Sequence, residues 1–143
     1  MGFFDRFSTD IGIDLGTCNT LIYVRGKGIV IDEPSVVAVE KGTKRILAVG
    51  ADAKNMLEKT PSNIIAIRPL ADGVISDIDS CERMIKYFMQ KIIPRHQIIK
   101  SLRMKIGIPS CITDVERRNL RAGAVLLFPQ TSIQLTVFAF AEH

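Results

Sequence analysis

The sequence of 143 residues is poor in the residue types that mark several classes of protein. It has no tryptophan and two histidines, and its three cysteines, Cys18, Cys81 and Cys111, stand far apart with no C-x-x-C pair. Zinc sites need clustered Cys and His ligands, so none is expected, and the scattered cysteines favour a reducing, cytosolic compartment. No apolar run approaches about 18 residues, so no segment is predicted to span a membrane. The first ten residues lack the apolar core of a signal peptide.

The chain also lacks a large excess of charge of either sign. Nineteen basic and fifteen acidic side chains leave a formal net charge of +4, and no long block of Lys and Arg occurs. A nucleic-acid-binding surface needs such a basic patch, so no nucleic-acid partner is predicted. The chain is 47% hydrophobic and 24% charged, which is ordinary for one globular domain or for part of a larger one.

What the sequence does contain is a hairpin pattern over residues 10–24, which read D-I-G-I-D-L-G-T-C-N-T-L-I-Y-V. Alternating and β-branched apolar residues predict a strand on each side, and the polar link from Gly16 to Asn19 predicts a short loop. Successive N–H groups in such a turn can form a concave anion-binding nest, to which Thr17 adds a hydroxyl. Asp14, at the end of the first strand, can hold a hydrated divalent cation. The pattern therefore predicts a phosphate-binding hairpin.

The rest of the first half is predicted to form a meander of short antiparallel strands and one helix. The predicted strands are residues 28–31, 35–40 and 45–50, with a break at Asp32-Glu33-Pro34, and residues 64–67 form a short apolar run. Residues 51–59 predict a short helix with Ala53, Met56 and Leu57 facing inward.

The second half alternates helix and strand. Apolar residues at three- and four-residue steps predict a helix over 78–92, capped either by Ser76 with Asp79 or by Asp77. Residues 102–108 alternate as a strand, which should lie beside the hairpin in one sheet. Thr113 and Glu116 form a capping-box pattern that opens a helix through about residue 122.

The two ends of the chain differ in character from the rest. Phe3, Phe4 and Phe7 cluster near the start, where they either form an interfacial membrane anchor or pack as a lead-in to the first strand. Residues 123–143 carry almost no charge, and 125–128 and 133–140 are candidate strands within them.

Five further-reaching motifs stand in order along the chain. They are I-D-L-G-T-C-N-T-L-I-Y-V at 13–24, G-I-V-I-D-E-P-S-V-V-A-V at 28–39, V-G-A-D-A-K-N-M-L at 49–57, T-P-S-N-I-I-A-I-R-P-L-A-D-G-V-I-S-D at 60–77 and P-S-C-I-T-D-V-E-R-R at 109–118. Together they resemble the MreB family of bacterial actins, the cell-shape proteins of rod-shaped bacteria. Sugar kinases and heat-shock chaperone ATPases carry a similar D-L-G-T turn, but the other four motifs go beyond that turn.

The resemblance implies an α/β, actin-like ATPase fold with a ribonuclease-H-like core. Residues 1–31 and 67–122 would form part of subdomain IA, and residues 32–66 would form subdomain IB. The turn would be the first phosphate loop, in which Gly16, Thr17, Cys18 and Asn19 contact ATP and Asp14 holds Mg²⁺ through water. Phe3, Phe4 and Phe7 align with a membrane-binding stretch. The implied partners are other subunits in a filament, the inner-membrane lipid surface and the cell-wall elongation machinery, with the protein cytoplasmic and associated with the inner face of the membrane.

The chain also departs from the family pattern. After V-E-R-R the family reaches a strand with an acidic motif whose glutamate positions the attacking water, but the corresponding V-L-L-F-P-Q-T-S has none, and no second phosphate loop follows. No catalytic residue is therefore assigned, and ATPase activity is not expected of this chain alone. Residues 123–143 are interpreted as a divergent tail, arising from a shifted reading frame or belonging to a genuinely short protein. The alternatives are a non-enzymatic membrane- or filament-binding fragment and, less favoured, a sugar-kinase-like fragment.

Overall fold

The computed structural model describes residues 8–59, 62–93, 101–109, 112–127 and 131–138. Phe3, Phe4 and Phe7 lie outside these ranges. In chain order the elements are β1 (Ser8–Leu15), β2 (Asn19–Val24), β3 (Gly28–Pro34), β4 (Val37–Glu40), β5 (Ile46–Val49), α1 (Ala51–Glu58), β6 (Ile64–Ile67), β7 (Leu70–Ala71), β8 (Val74–Ile75), α2 (Ile78–Ile92), β9 (Ser101–Pro109), α3 (Asp114–Leu127) and β10 (Thr131–Phe138).

The larger sheet contains five strands in the order β10-β9-β1-β2-β3. β1 and β2 form the predicted antiparallel hairpin, with Leu15 opposite Thr20 at its closed end. β9 runs parallel to β1, with Ile13 opposite Ile106, which confirms that this strand lies beside the hairpin. A parallel neighbour requires a crossover, and α2 lies in the connection between the hairpin side of the sheet and β9.

One face of this sheet is the core and the other is polar. Ile13, Ile22 and Ile106 are almost fully buried on the core face and pack with apolar residues of α2 such as Phe88. Because side chains alternate along a strand, Arg103 and Lys105 lie on the opposite face, where they are exposed. The helix pattern over 78–92 is confirmed, because its apolar positions supply the cover for the core face.

The chain leaves the large sheet after Pro34, so the prediction of one continuous meander is wrong. β3 continues through the predicted break and pairs with β2 as far as Pro34, which lies opposite Asn19. The next strands form a separate sheet in the order β5-β4-β6. Its alternate residues divide between two cores: Val37 packs with the large core, whereas Ala38 packs against Ala53 of α1.

The caps of the two longer helices follow their sequences. Asp77, not Ser76, caps α2, because its carboxylate accepts a hydrogen bond from the amide of Ser80 at 3.1 Å. The capping box of α3 is confirmed: the Thr113 hydroxyl accepts from the Glu116 amide at 3.2 Å, and the Glu116 carboxylate accepts from the Thr113 amide at 2.8 Å.

The prediction of a strand over 125–128 is wrong, because α3 continues to Leu127. α3 packs against α2 so closely at Gly123 that a Cβ there would collide with the Glu82 carboxylate, and this tertiary contact is invisible in a local pattern. The stretch compared with the family's acidic strand is therefore in part the end of a helix. The strand that follows, β10, reads T-S-I-Q-L-T-V-F, contains no acidic residue and runs parallel to β9.

Helices that could cross a bilayer are absent from the portion of the chain that the structure describes, since none is both long and apolar enough.

Candidate functional site

The predicted phosphate-binding turn is the closed tip of the β1–β2 hairpin. Gly16, Thr17 and Cys18 connect the strands, and the Thr17, Cys18 and Asn19 side chains are exposed. The Gly16 amide donates to the Asn19 carbonyl at 3.1 Å, which closes the turn. A Cβ on Gly16 would collide with that same carbonyl oxygen, so the turn requires glycine at this position.

Two carbonyl groups of the turn, those of Gly16 and Cys18, accept hydrogen bonds from Ser35, the residue that follows β3. The Ser35 hydroxyl donates to the Gly16 carbonyl at 2.7 Å, and the Ser35 amide donates to the Cys18 carbonyl at 2.9 Å. Ser35 is fully buried, as is Thr20, whose hydroxyl lies 2.9 Å from that of Ser35. No local sequence pattern indicates these contacts, because the partners are 15 to 19 positions apart.

Two backbone amide groups of the turn, unlike its Gly16 and Cys18 carbonyls, have no hydrogen-bond partner among the described residues. Among the described residues, the N–H groups of Thr17 and Cys18 donate to no acceptor within the protein. Backbone donors that lack a protein partner are satisfied by solvent or by a ligand. A turn whose Gly16 and Cys18 carbonyls accept hydrogen bonds from the protein, and whose two consecutive amides have no protein acceptor, is chemically suited to accept an anion.

The two polar side chains predicted beside the turn are placed differently. Asn19 donates its side-chain N–H to the Asp32 carboxylate at 2.9 Å, so one of its two amide hydrogens is already committed and the second is open to a ligand. Asp14 lies near the end of β1 between Leu21 and Gly107 of the neighbouring strands, on the sheet face opposite the helices, and is partly exposed.

A groove of about 390 Å³ opens between the turn and the small sheet. Cys18 and Asn19 line one side of it, and Lys54 and Arg68 contribute two cationic side chains from α1 and from the end of β6, with Glu58 as an acidic neighbour. The groove therefore extends the turn toward a surface that carries more positive than negative charge.

A second polar concavity, of about 670 Å³, lies on the open face of the large sheet. Asp10 there receives hydrogen bonds from Arg103 at 2.6 and 3.1 Å and from Arg25 at 3.0 Å. These guanidinium groups, Arg103 foremost, lower the pKa of the Asp10 carboxyl below its ordinary value. The acid is thus neutralised by protein partners, and this face carries an ion-pair cluster.

The residues near the turn fit a nucleotide with a water-bound magnesium ion better than a directly chelated metal. Within the ranges that the structure describes, no three Asp, Glu, His or Cys side chains converge to hold a metal. A single carboxylate such as Asp14 suits Mg²⁺, which keeps most of its waters and takes one or two carboxylates plus phosphate oxygens.

The solved structures that superpose on this chain define its class. MreB5 of Spiroplasma citri bound to ADP matches with a TM-score of 0.74 and 30% identity, over 92% of this chain and 38% of that one. The MamK double helical filament matches with a TM-score of 0.70 at 23% identity, over 91% of this chain and 40% of that one, which bears on the fold alone. The chain is a mixed α/β protein with the actin-like fold, as the sequence predicted.

The chain belongs to the MreB/Mbl protein family, whose model matches residues 8–127. It is 52% identical over 118 residues to the cell shape-determining protein Mbl of Bacillus cereus, and 48% identical over 122 residues to the cell shape-determining protein MreB of Escherichia coli. Each alignment covers 82% of this chain and 35% of the relative, so the chain spans about a third of the length of these curated proteins. This membership removes the ground for the sugar-kinase-like alternative.

Proposed function

We propose that this chain supplies one wall of a Mg-ATP site in a cell-shape-determining bacterial actin, and that its hairpin tip contacts the phosphates. The observation that carries the proposal is the polarity of the turn: the carbonyls of Gly16 and Cys18 are bonded within the protein, while the amides of Thr17 and Cys18 have no acceptor among the described residues. The relative that superposes with a TM-score of 0.74 was solved with ADP, which supports a nucleotide as the anion.

Each residue has a distinct part in the proposal. The Thr17 and Cys18 amides donate to phosphate oxygens, Gly16 permits the close turn, and the uncommitted side-chain hydrogen of Asn19 adds a further donor. Asp14 would hold Mg²⁺ through water, and the cation would neutralise phosphate charge when it is bound. The domain boundaries implied by the resemblance, subdomain IA for 1–31 with 67–122 and subdomain IB for 32–66, form part of the same proposal.

Nucleotide titration of the ¹⁵N-labelled chain, followed by NMR, tests the site. Chemical shifts detect weak contact, so the measurement is informative even when affinity is low. We expect Mg-ATP and Mg-ADP to shift the amide resonances of Thr17 and Cys18 in a saturable way. The turn at 25–28 is the internal control, because it closes the other end of β2 and carries Arg25 and Lys27. Equal shifts at both turns would mean non-specific anion binding and would refute the proposal.

A pair of glycine variants adds a control for loop geometry. Gly16→Ala introduces the collision with the Asn19 carbonyl. A Cβ at Gly12, on the preceding strand β1, meets only the Tyr23 Cβ at 4.0 Å. We expect Gly16→Ala to abolish the nucleotide-induced shifts and Gly12→Ala to retain them. Retention in both variants would show that the turn geometry does not govern binding.

We further propose that the protein assembles with its own copies into filaments in the cytoplasm, beneath the inner membrane, where filaments guide the cell-wall elongation machinery. A solved relative in fold is a double helical filament, which supports self-association. Sedimentation of the purified chain with and without Mg-ATP, together with electron microscopy of the pellet, tests it. A chain that stays monomeric at all concentrations, and does not enter filaments of a full-length family member, would refute this part.

The membrane role is assigned to Phe3, Phe4 and Phe7. Co-sedimentation with anionic phospholipid vesicles should decrease when all three are changed to Asp, because an interfacial anchor depends on buried apolar area. Ile29→Asp is the matched control, since Ile29 is an exposed apolar residue on β3, 63% accessible. Vesicle binding that is unchanged by the triple substitution would remove the anchor from the proposal.

A further inference from the structure

Ser35 makes two hydrogen bonds to the turn at the hairpin tip. It sits just after β3, is fully buried, and donates to the turn twice, from its hydroxyl to the Gly16 carbonyl and from its amide to the Cys18 carbonyl. The turn itself contributes one backbone bond, from the Gly16 amide to the Asn19 carbonyl. A single buried side chain on another strand thus fixes two of the peptide groups in the turn.

The direction of the hydroxyl contacts follows from proton counting. A serine hydroxyl carries one hydrogen, and the Ser35 hydrogen is used on the Gly16 carbonyl. In the 2.9 Å contact between the two hydroxyls, Thr20 must therefore be the donor and Ser35 the acceptor. Thr20 therefore donates to Ser35, and Ser35 donates to the Gly16 carbonyl. Each hydroxyl donates once, and both side chains are fully buried.

Peptide planarity turns these hydrogen bonds into an orientation of the turn's amides. In a trans peptide group the C=O of one residue and the N–H of the next point in opposite directions. Because the Gly16 carbonyl points toward Ser35, the Thr17 N–H must point away from Ser35. By the same geometry, the bond from the Ser35 amide to the Cys18 carbonyl points the Asn19 N–H outward.

We propose that Ser35, oriented by Thr20, is a positioning residue for the phosphate-binding turn. This inference rests on the proposed function and deepens it: Ser35 does not touch the nucleotide but presets the direction of the Thr17 amide, one of the donors that do, and of the adjacent Asn19 amide. Without the hydroxyl, the Gly16–Thr17 peptide is free to rotate, and phosphate binding has to order it. Affinity then falls, because the cost of ordering is subtracted from the binding free energy.

The test compares variants that separate positioning from stability. Ser35→Ala removes the hydroxyl and keeps the amide, and Ser35→Thr restores the hydroxyl. Ser80→Ala is the matched control, because Ser80 is also a buried serine, its hydroxyl donates to the Asp77 carboxylate at 2.9 Å, and neither residue lines the turn or the groove beside it. Nucleotide affinity is measured from the NMR titration at a temperature where thermal unfolding shows every variant to be folded.

We expect Ser35→Ala to weaken Mg-ATP binding about five-fold, the order expected for one hydrogen bond, and to raise the backbone mobility of Thr17 and Cys18 in ¹⁵N relaxation without added nucleotide. Ser35→Thr should restore the wild-type values of both, and Ser80→Ala should change neither. If Ser35→Ala fails to fold, Thr20→Val, which removes only the donor to Ser35, takes its place, with a smaller loss of affinity expected.

The two levels of the proposal fail in distinguishable ways. A wild-type chain whose Thr17 and Cys18 amides do not respond to Mg-ATP refutes the proposed function, and the inference with it. A wild-type chain that binds, with an unchanged affinity and an equally rigid turn in Ser35→Ala, refutes the positioning role alone.

Discussion

Replacing Gly50 with alanine should destabilise the protein far more than the same change at another glycine with positive φ. Gly50 precedes α1 with φ 65° and ψ −133°, a conformation that only glycine adopts readily. A Cβ there would collide with the Glu33 carboxylate and approach the ring of Phe88, which is fully buried, at 3.0 Å. Two separate costs are therefore expected, one of backbone strain and one of collision.

The collision cost can be worked out from what Glu33 does. Its carboxylate accepts from the Ala51 amide at the start of α1 at 3.1 Å and from the Lys91 ammonium of α2 at 3.2 Å. A hydrogen bond to a charged group contributes about 1.5–3 kcal/mol, while the Lys91 pair, partly exposed, is worth well under 1 kcal/mol. Displacing Glu33 should thus cost about 2 kcal/mol, in addition to about 1–3 kcal/mol of backbone strain for a non-glycine residue in this sparsely populated conformation.

Gly42→Ala is the control for backbone strain alone, because Gly42 has φ 96° and no atoms within 4 Å of a built Cβ. Urea unfolding followed by circular dichroism gives the free energy of unfolding for each variant. We expect Gly50→Ala to lose about 2 kcal/mol more than Gly42→Ala, and Glu33→Ala to remove most of this excess in the double variant. Equal losses in the two glycine variants would refute the expectation that a Cβ at position 50 displaces the Glu33 carboxylate from the Ala51 amide and Lys91.

Three further predictions concern single contacts. Thr113→Ala should lower the free energy of unfolding by about 1 kcal/mol, because it removes the hydroxyl that caps α3; an unchanged urea midpoint would contradict this. The pKa of Asp10 is lowered by its arginine partners, so its stabilising contribution is present above the unfolded pKa of about 3.9 and is lost as pH falls through the lower folded value; Asp10→Asn should remove this part of the acid dependence in urea titrations from pH 6 to pH 2. Burial raises the pKa of the Cys81 thiol to about 12, so iodoacetamide at pH 8 should label the exposed Cys18 and spare Cys81 in the folded protein, as mass spectrometry would show; equal labelling would mean that the α2 core opens readily.

Local patterns predicted the elements whose cause is local. The hairpin, α2 and the capping box of α3 all follow from alternation, from a 3.6-residue period or from side chains three positions apart. Even the neighbour of the hairpin could be anticipated, since a strand-helix-strand order predicts a parallel pair, and β9 does lie beside β1.

The errors arose where a distant contact outweighed the local preference. Residues 125–127 suit a strand, yet they complete α3, which lies so close to Glu82 of α2 at Gly123 that a Cβ there would collide with the Glu82 carboxylate. Asp32 and Glu33 look like a turn, yet both pair with β2 because the adjacent strand offers its backbone donors and acceptors. The strand that occupies the sheet edge after α3 is 131–138, next to β9.

The same division applies to the candidate site. The family, the turn from Gly16 to Asn19 and the chemical types of its side chains could be predicted from the sequence, because they are encoded in runs of consecutive residues. Tertiary contacts set which groups of that turn are available to a ligand: Ser35, whose hydroxyl contacts that of Thr20, donates to the Gly16 and Cys18 carbonyls, and Asp32 accepts one side-chain hydrogen of Asn19. The physical reason is that the direction of a peptide group is set by whichever partner can satisfy it, and here that partner lies up to 19 residues away along the chain.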